Sequence, residues 1–171
     1  MISDDPARMH HVFLVSLALE RAAAGDHDTA NDLIGEIQER FGKDGLIQAM
    51  TLWADIANKA SGVYGLPADE FLPAPVFVES DTGEVTDTDE VPHWQRWGGR
   101  FIAARAAGDL DTAIALLASS READDQSICI YGVLSVAAAT VAQAMKDGRW
   151  PPADMKPTAP RKRNEGQGMG K

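Results

Sequence analysis

The sequence predicts an all-α domain, a six-helix bundle built from two duplicated three-helix units, with room for a short β-hairpin in the insertion between them. Two observations carry this. The octapeptide "AAGDHDTA" at residues 23–30 returns as "AAGDLDTA" at residues 106–113, an offset of 83. Around each copy, apolar residues recur at i, i+3, i+4 and i+7, the period of a helix with one buried face. With 171 residues, 44% of them apolar, the chain is long enough to bury one core.

Taken in order, Ser3 or Asp4 can cap a first helix with Pro6 in its first turn, where the missing N–H breaks no helical bond. Val12, Val15, Leu19 and Ala22 form its stripe, widened by Phe13, Leu14 and Leu17. After Gly25, Asp26 or Asp28 can cap a second helix with Ala30, Leu33, Ile34, Ile37 and Phe41 on one side, ended by Gly42. Asp44 can cap a third, carrying Ile47, Met50, Trp53, Ala54 and Ala57 as far as Gly62. These three make the first unit, residues 1–62.

Residues 63–90 are an acidic, proline-rich insertion in which "PVFVESDTGEVT" alternates around Asp81-Thr82-Gly83 as a hairpin does. The second unit, residues 91–148, packs on the first as one domain. Asp89 or Glu90 can start its leading helix, with Pro92 near the front and Trp94, Trp97, Phe101 and Ala104 as the stripe. A fifth helix starts near Asp111 and a sixth runs from about Asp125 to Met145, where Ile130, Val133 and Ala137 match Ile47, Met50 and Ala54 at the same offset. Residues 149–171 are expected to be a disordered basic tail.

Charge divides the chain unevenly. The net charge is −10, yet from Lys146 onward seven basic residues face three acids, leaving −14 on residues 1–145. Such a body works against tight contact with nucleic acid or anionic lipid, and only the tail, through Arg161, Lys162 and Arg163, offers phosphate a weak hold. The single Cys129 excludes an intrachain disulfide and a Cys-based zinc cluster, which points to a reducing, cytoplasmic setting. Two aspartates stand where a secretory leader carries positive charge. Uncharged "SICIYGVLSVAAATVAQAM" runs for 19 residues, enough to span a bilayer, but about half of it is Ala, Ser, Thr, Gly or Gln and its repeat partner carries Asp55 and Lys59. A core helix is the expectation, with no membrane partner.

No nucleophile elbow, phosphate loop or catalytic cysteine signature appears, so no catalytic residue and no cofactor is assigned. The acidic run Asp81, Glu84, Asp87, Asp89 and Glu90 lacks the EF-hand glycine and closing glutamate, and reads as a solvated linker. His10 and His93 occupy equivalent repeat positions and make a weak ligand-binding alternative between the halves, without the spacing of a metal motif. The stronger site is the helix leading the second half. There Trp94 and Trp97 stand with Gly98-Gly99, Arg100 and Arg105, and a glycine pair inside a helix signals that another backbone comes close. Either the domain's own helices meet there or the residues serve a protein partner or homodimer interface.

"RFIAARAAGDLDTAIALL" resembles the inter-helix turn of a tetratricopeptide hairpin, through Gly108, Asp109 and Ala113, matched by Gly25, Asp26 and Ala30. The resemblance spans about twenty residues per copy, and the period is 83 where that family has 34. It implies a protein-binding scaffold. The expected function is therefore a non-enzymatic, cytoplasmic interaction or regulatory protein, of bacterial origin from its Ala, Gly and Asp bias. The alternatives are a small-ligand- or metal-binding enzyme and a nucleic-acid-associated protein that uses its tail.

Overall fold

The computed structural model describes residues 5–63, 84–87, 89–120 and 126–151. The tip of the expected hairpin, Ser3 and Asp4, and Arg161, Lys162 and Arg163 lie outside them. Among the described residues the protein is all-helical: α1 Pro6–Ala23, α2 His27–Ser61, α3 His93–Ala107, α4 Leu110–Ser119 and α5 Gln126–Lys146. The helices α2 and α5 lie side by side at the centre, α1 packs on both, α3 packs on both, and α4 rests on α3.

The expected second and third helices run as one element. At Gly42 the backbone turns out of the helix (φ 63°, ψ −159°), and helical hydrogen bonding resumes on the far side without a loop. Across this break His11 is buried, its ring edge-on to Phe41 and its Nε2 2.9 Å from the Gly45 carbonyl, where it donates as the Nε2–H tautomer. That contact ties α1 to the first turn after the break.

The doubled octapeptide proves to be one joint used twice. In each copy the amide of the glycine and that of the following aspartate donate to the last turn of the preceding helix. Gly25 and Asp26 reach the Ala22 and Arg21 carbonyls at 3.0 and 2.9 Å, and Gly108 and Asp109 reach Arg105 and Ala104 at 3.2 and 2.9 Å. This pairing closes a helix only with a left-handed residue between, which both glycines supply (φ 83° and 69°). The same aspartate then caps the next helix, accepting from Thr29 N at 3.3 Å and Thr112 N at 3.0 Å. Four residues on, Ala30 and Ala113 begin the buried stripe. Of the aspartates that could cap, Asp26 and Asp109 do so.

Other ends differ from expectation for local reasons. The first helix is capped by Asp5, which accepts from Ala7 N at 3.0 Å with Pro6 in the first position. The leading helix of the second half begins at His93, after Asp89 and Glu90. Pro92 is extended (φ −52°, ψ 140°) and disfavours a helical residue before it, so those acids form a turn instead, with Glu90 N donating to Asp87 O at 2.9 Å. On α1 the covered side is Leu14, Val15, Ala18, Leu19 and Ala22, whereas Met9, Val12 and Phe13 face outward. The apolar stripe was wider than the surface its neighbours cover.

The core closes where two backbones meet. A Cβ on Gly98 of α3 would lie 2.5 Å from the Gly132 carbonyl group of α5, and one on Gly132 would strike the Trp94 carbonyl oxygen. Gly98 of the glycine pair thus serves the domain's own packing. Trp53, fully buried in α2, donates its indole N–H to Val15 O at 2.9 Å, and Asn58 donates to Ile102 O at 3.2 Å. Buried donors with partners cross-link α1 to α2 and α2 to α3. Arg149 closes the far end, donating to Ala60 O at 2.7 Å in the last turn of α2. The long apolar α5 has a mean hydropathy of 1.8 in its most apolar window and is long enough to cross a membrane, and half of that window is buried by its neighbours.

Two predictions follow from these contacts. Gly132→Ala should lower unfolding free energy by about 1–3 kcal/mol, the usual range for overpacking, whereas Gly35→Ala, in open space inside α2, should raise it by about 0.5–1 kcal/mol from helix propensity. Urea titrations giving the same sign for both would refute the backbone crossing. Second, hydrogen bonds from the Thr112 side chain and backbone hold the Asp109 carboxyl below its ordinary value of 3.8. A depressed carboxyl adds stability above its unfolded value and loses it as pH falls through the folded one. Asp109→Asn, which keeps a capping oxygen, should therefore flatten the loss of stability below about pH 4 with little change at neutral pH.

Candidate functional site

On α3, positions 94, 97, 98, 101 and 104 turn toward α5 and α2, and positions 93, 96 and 100 fall along one edge of the same helix. Because glycines 98 and 132 let the helices approach so closely, the Trp97 side chain is drawn down to 6% exposure and stacks parallel on Phe101, with ring centroids 5.7 Å apart. Beside it opens a cavity of about 190 Å³ lined by His93, Arg96, Trp97 and Arg100. The Trp97 indole N–H is sealed from solvent and has no acceptor among the described residues. An orphan of this kind disfavours the folded state by about 1–3 kcal/mol.

The four residues singled out on this helix thus have separate fates. Trp94 is half-buried, tilted against Tyr131 at 5.5 Å, and the Tyr131 hydroxyl stands 3.3 Å from His27 Nδ1 at the start of α2. Trp97 forms the cavity wall, and Arg100 is exposed at its mouth. Arg105 is turned the other way, gripping both carboxylate oxygens of Asp55 on α2 at 2.8 and 2.9 Å through one nitrogen, with a further bond of 3.1 Å through Nε. Both partners are largely shielded, which makes this pair a fastening between the halves. Arg96, one turn from Arg100, joins the cavity. Its only ion pair among the described residues is a loose 3.6 Å approach to Asp89, which is 95% exposed.

His10 and His93 have different neighbours. His10 lies on α1 near Phe41, with its buried Nε2 at 3.8 Å from Glu36 and without a hydrogen bond among the described residues. His93 is the first residue of α3 and faces the two arginines. No grouping of three or more His, Cys, Asp or Glu suited to a metal occurs among the described residues. Two larger cavities lie elsewhere. One, about 490 Å³, sits between α1 and α2 beside the break and includes Asp5, Arg8, His11 and Asp44. The other, about 470 Å³, is an apolar groove containing Leu19, Ile56, Val141, Met145 and Trp150.

Sequence reasoning undervalued Asp55, Tyr131 and Gly132. Gly132 alone left a signal, as the one glycine in an otherwise continuous run of side chains, answering the glycines of α3. Asp55 and Tyr131 owe their roles to partners 50 and 104 residues away, beyond the reach of any periodicity. Comparison with protein-family models, curated proteins and solved structures finds no match for the chain.

If Arg105 is a fastening, a double-mutant cycle of Arg105→Ala and Asp55→Ala should return a coupling of roughly 1–3 kcal/mol in urea unfolding, above the range for exposed pairs. A coupling near zero would return Arg105 to the surface.

Proposed function

We propose that the chain is a non-enzymatic protein-interaction module of two duplicated three-helix halves, soluble in the cytoplasm, that docks a protein partner on its second half. The duplication reading is supported by the two Gly-Asp joints, which share their hydrogen bonds, left-handed glycine and capping atom. The six-helix count belongs to the same reading, with Gly42 as the former boundary between two helices.

The observation that carries the docking proposal is the state of α4. This helix is strongly apolar, yet Ala113 is its only buried residue, and Leu110 and Ile114 stand 58% and 63% exposed one turn apart. Exposed aliphatic pairs on a helix with a single neighbour among the described helices favour association, since fully burying such a side chain is worth up to about 1.5–3 kcal/mol. The resemblance of the α3–α4 joint to a tetratricopeptide turn supports the same reading. A partner there would present its own apolar surface, ringed by polar groups to match the acidic body.

A photoreactive residue placed at position 114, in the cells that make the protein, should give a discrete protein adduct, and one at Glu39, on the solvated side of α2, should not. Moving the photoreactive residue to position 110 and adding Ile114→Asp should abolish the adduct, and light scattering should show whether the partner is a second copy. No adduct at either position, or an adduct indifferent to Ile114→Asp, would overturn the proposal.

A further inference from the structure

The cavity on α3 goes beyond protein docking, and it stands whether or not α4 binds a partner. Two guanidinium groups, of Arg96 and Arg100, lie one helical turn apart at its rim. Like charges at that spacing repel, and ordinarily a carboxylate between them relieves the strain. Here Arg100 has no ion pair among the described residues and Arg96 has only the loose, almost fully exposed Asp89. The His93 ring offers a further N–H in either tautomer. The fourth wall is the ring of Trp97, whose indole N–H is sealed off from the cavity itself. The charged groups at the cavity are both cations, and no carboxylate lines it.

From this geometry we infer that the cavity lined by His93, Arg96, Trp97 and Arg100 is a binding site for one small oxyanion, a phosphate or carboxylate group. The paired guanidiniums match the planar fork of such oxygens, and a single anion between them replaces repulsion with two charge-assisted bonds. The volume, about 190 Å³, equals that of roughly six waters and suits a lone oxyanion or the tip of a larger molecule. The −14 charge of residues 1–145 does not forbid this. Its field is screened beyond about 8 Å at physiological salt, whereas the arginines act at contact distance.

The test uses the full chain and the indole resonances of its four tryptophans, with that of Trp97 assigned by Trp97→Phe. Inorganic phosphate and acetate are titrated separately against chloride at constant ionic strength. The Trp97 indole signal should shift saturably with one of them, with Kd of about 1 mM or tighter, while that of Trp53, already bonded to Val15, stays still. Arg100→Gln, at an exposed position, should weaken binding at least about tenfold, and Arg100→Lys should recover part of it. A stronger response to phosphate assigns a phosphoryl ligand and a stronger response to acetate a carboxylate. Absence of a saturable shift with both anions, equal movement of all four indoles, or unchanged affinity in Arg96→Gln/Arg100→Gln would overturn the site.

Discussion

The contact on which the second half depends is the crossing of two backbones without side chains between them. At Gly98 and Gly132 the main chains of α3 and α5 come so near that a single methyl on either has no room. That approach lets Phe101 and Ile102 reach the core and holds α3 where Arg105 meets Asp55 and Ile102 meets Asn58. It also places the edge of α3 at the surface with two arginines and a buried indole. Packing and the candidate site therefore share one cause. Most cores separate helices by 8–10 Å and fill the space with side chains, and here small residues remove that spacer.

The joints between helices show economy of another kind. A glycine and an aspartate suffice to end one helix, reverse the chain and begin the next, because the aspartate amide completes the first helix while its carboxylate caps the second. The turn then contains no residue that lacks a structural task. Such a joint carries no ligand chemistry, and its recurrence bears on how the fold was assembled. The paired arginines of α3 and the exposed apolar side of α4 are formed by residues other than the glycine and aspartate of the joint, and α1 too exposes apolar side chains at Met9, Val12 and Phe13.

Buried polar groups sort the structure in the same way. Trp53, Asn58 and His11 each reach a backbone carbonyl on another helix, so their burial fixes the position of one helix against the next. The Trp97 indole N–H is likewise sealed from solvent and has no such partner among the described residues. A donor left unmatched among the described residues is an exception to the rule that buried polar groups are paired, and it lowers stability locally.

The sequence by itself determined the helical class, the doubled joint and most of the buried stripes, because these depend on residues within one or two turns of each other. Ala30, Leu33 and Ile37, or Val133 and Ala137, repeat with the helical period and are buried as that period requires. It likewise marked the Trp-Arg-Gly-Gly helix as exceptional. What only the tertiary structure decided is the direction each of those residues takes. Arg100 and Arg105 fall about 140° apart around one helix, yet only the fold shows that one side faces a cavity and the other Asp55. The exposed sides of α1 and α4 are apolar like the buried ones, and only the absence of a covering element among the described residues tells them apart. Local chemistry sets which segments are helices, whereas the choice between fastening, core and binding surface depends on neighbours that sequence spacing does not encode.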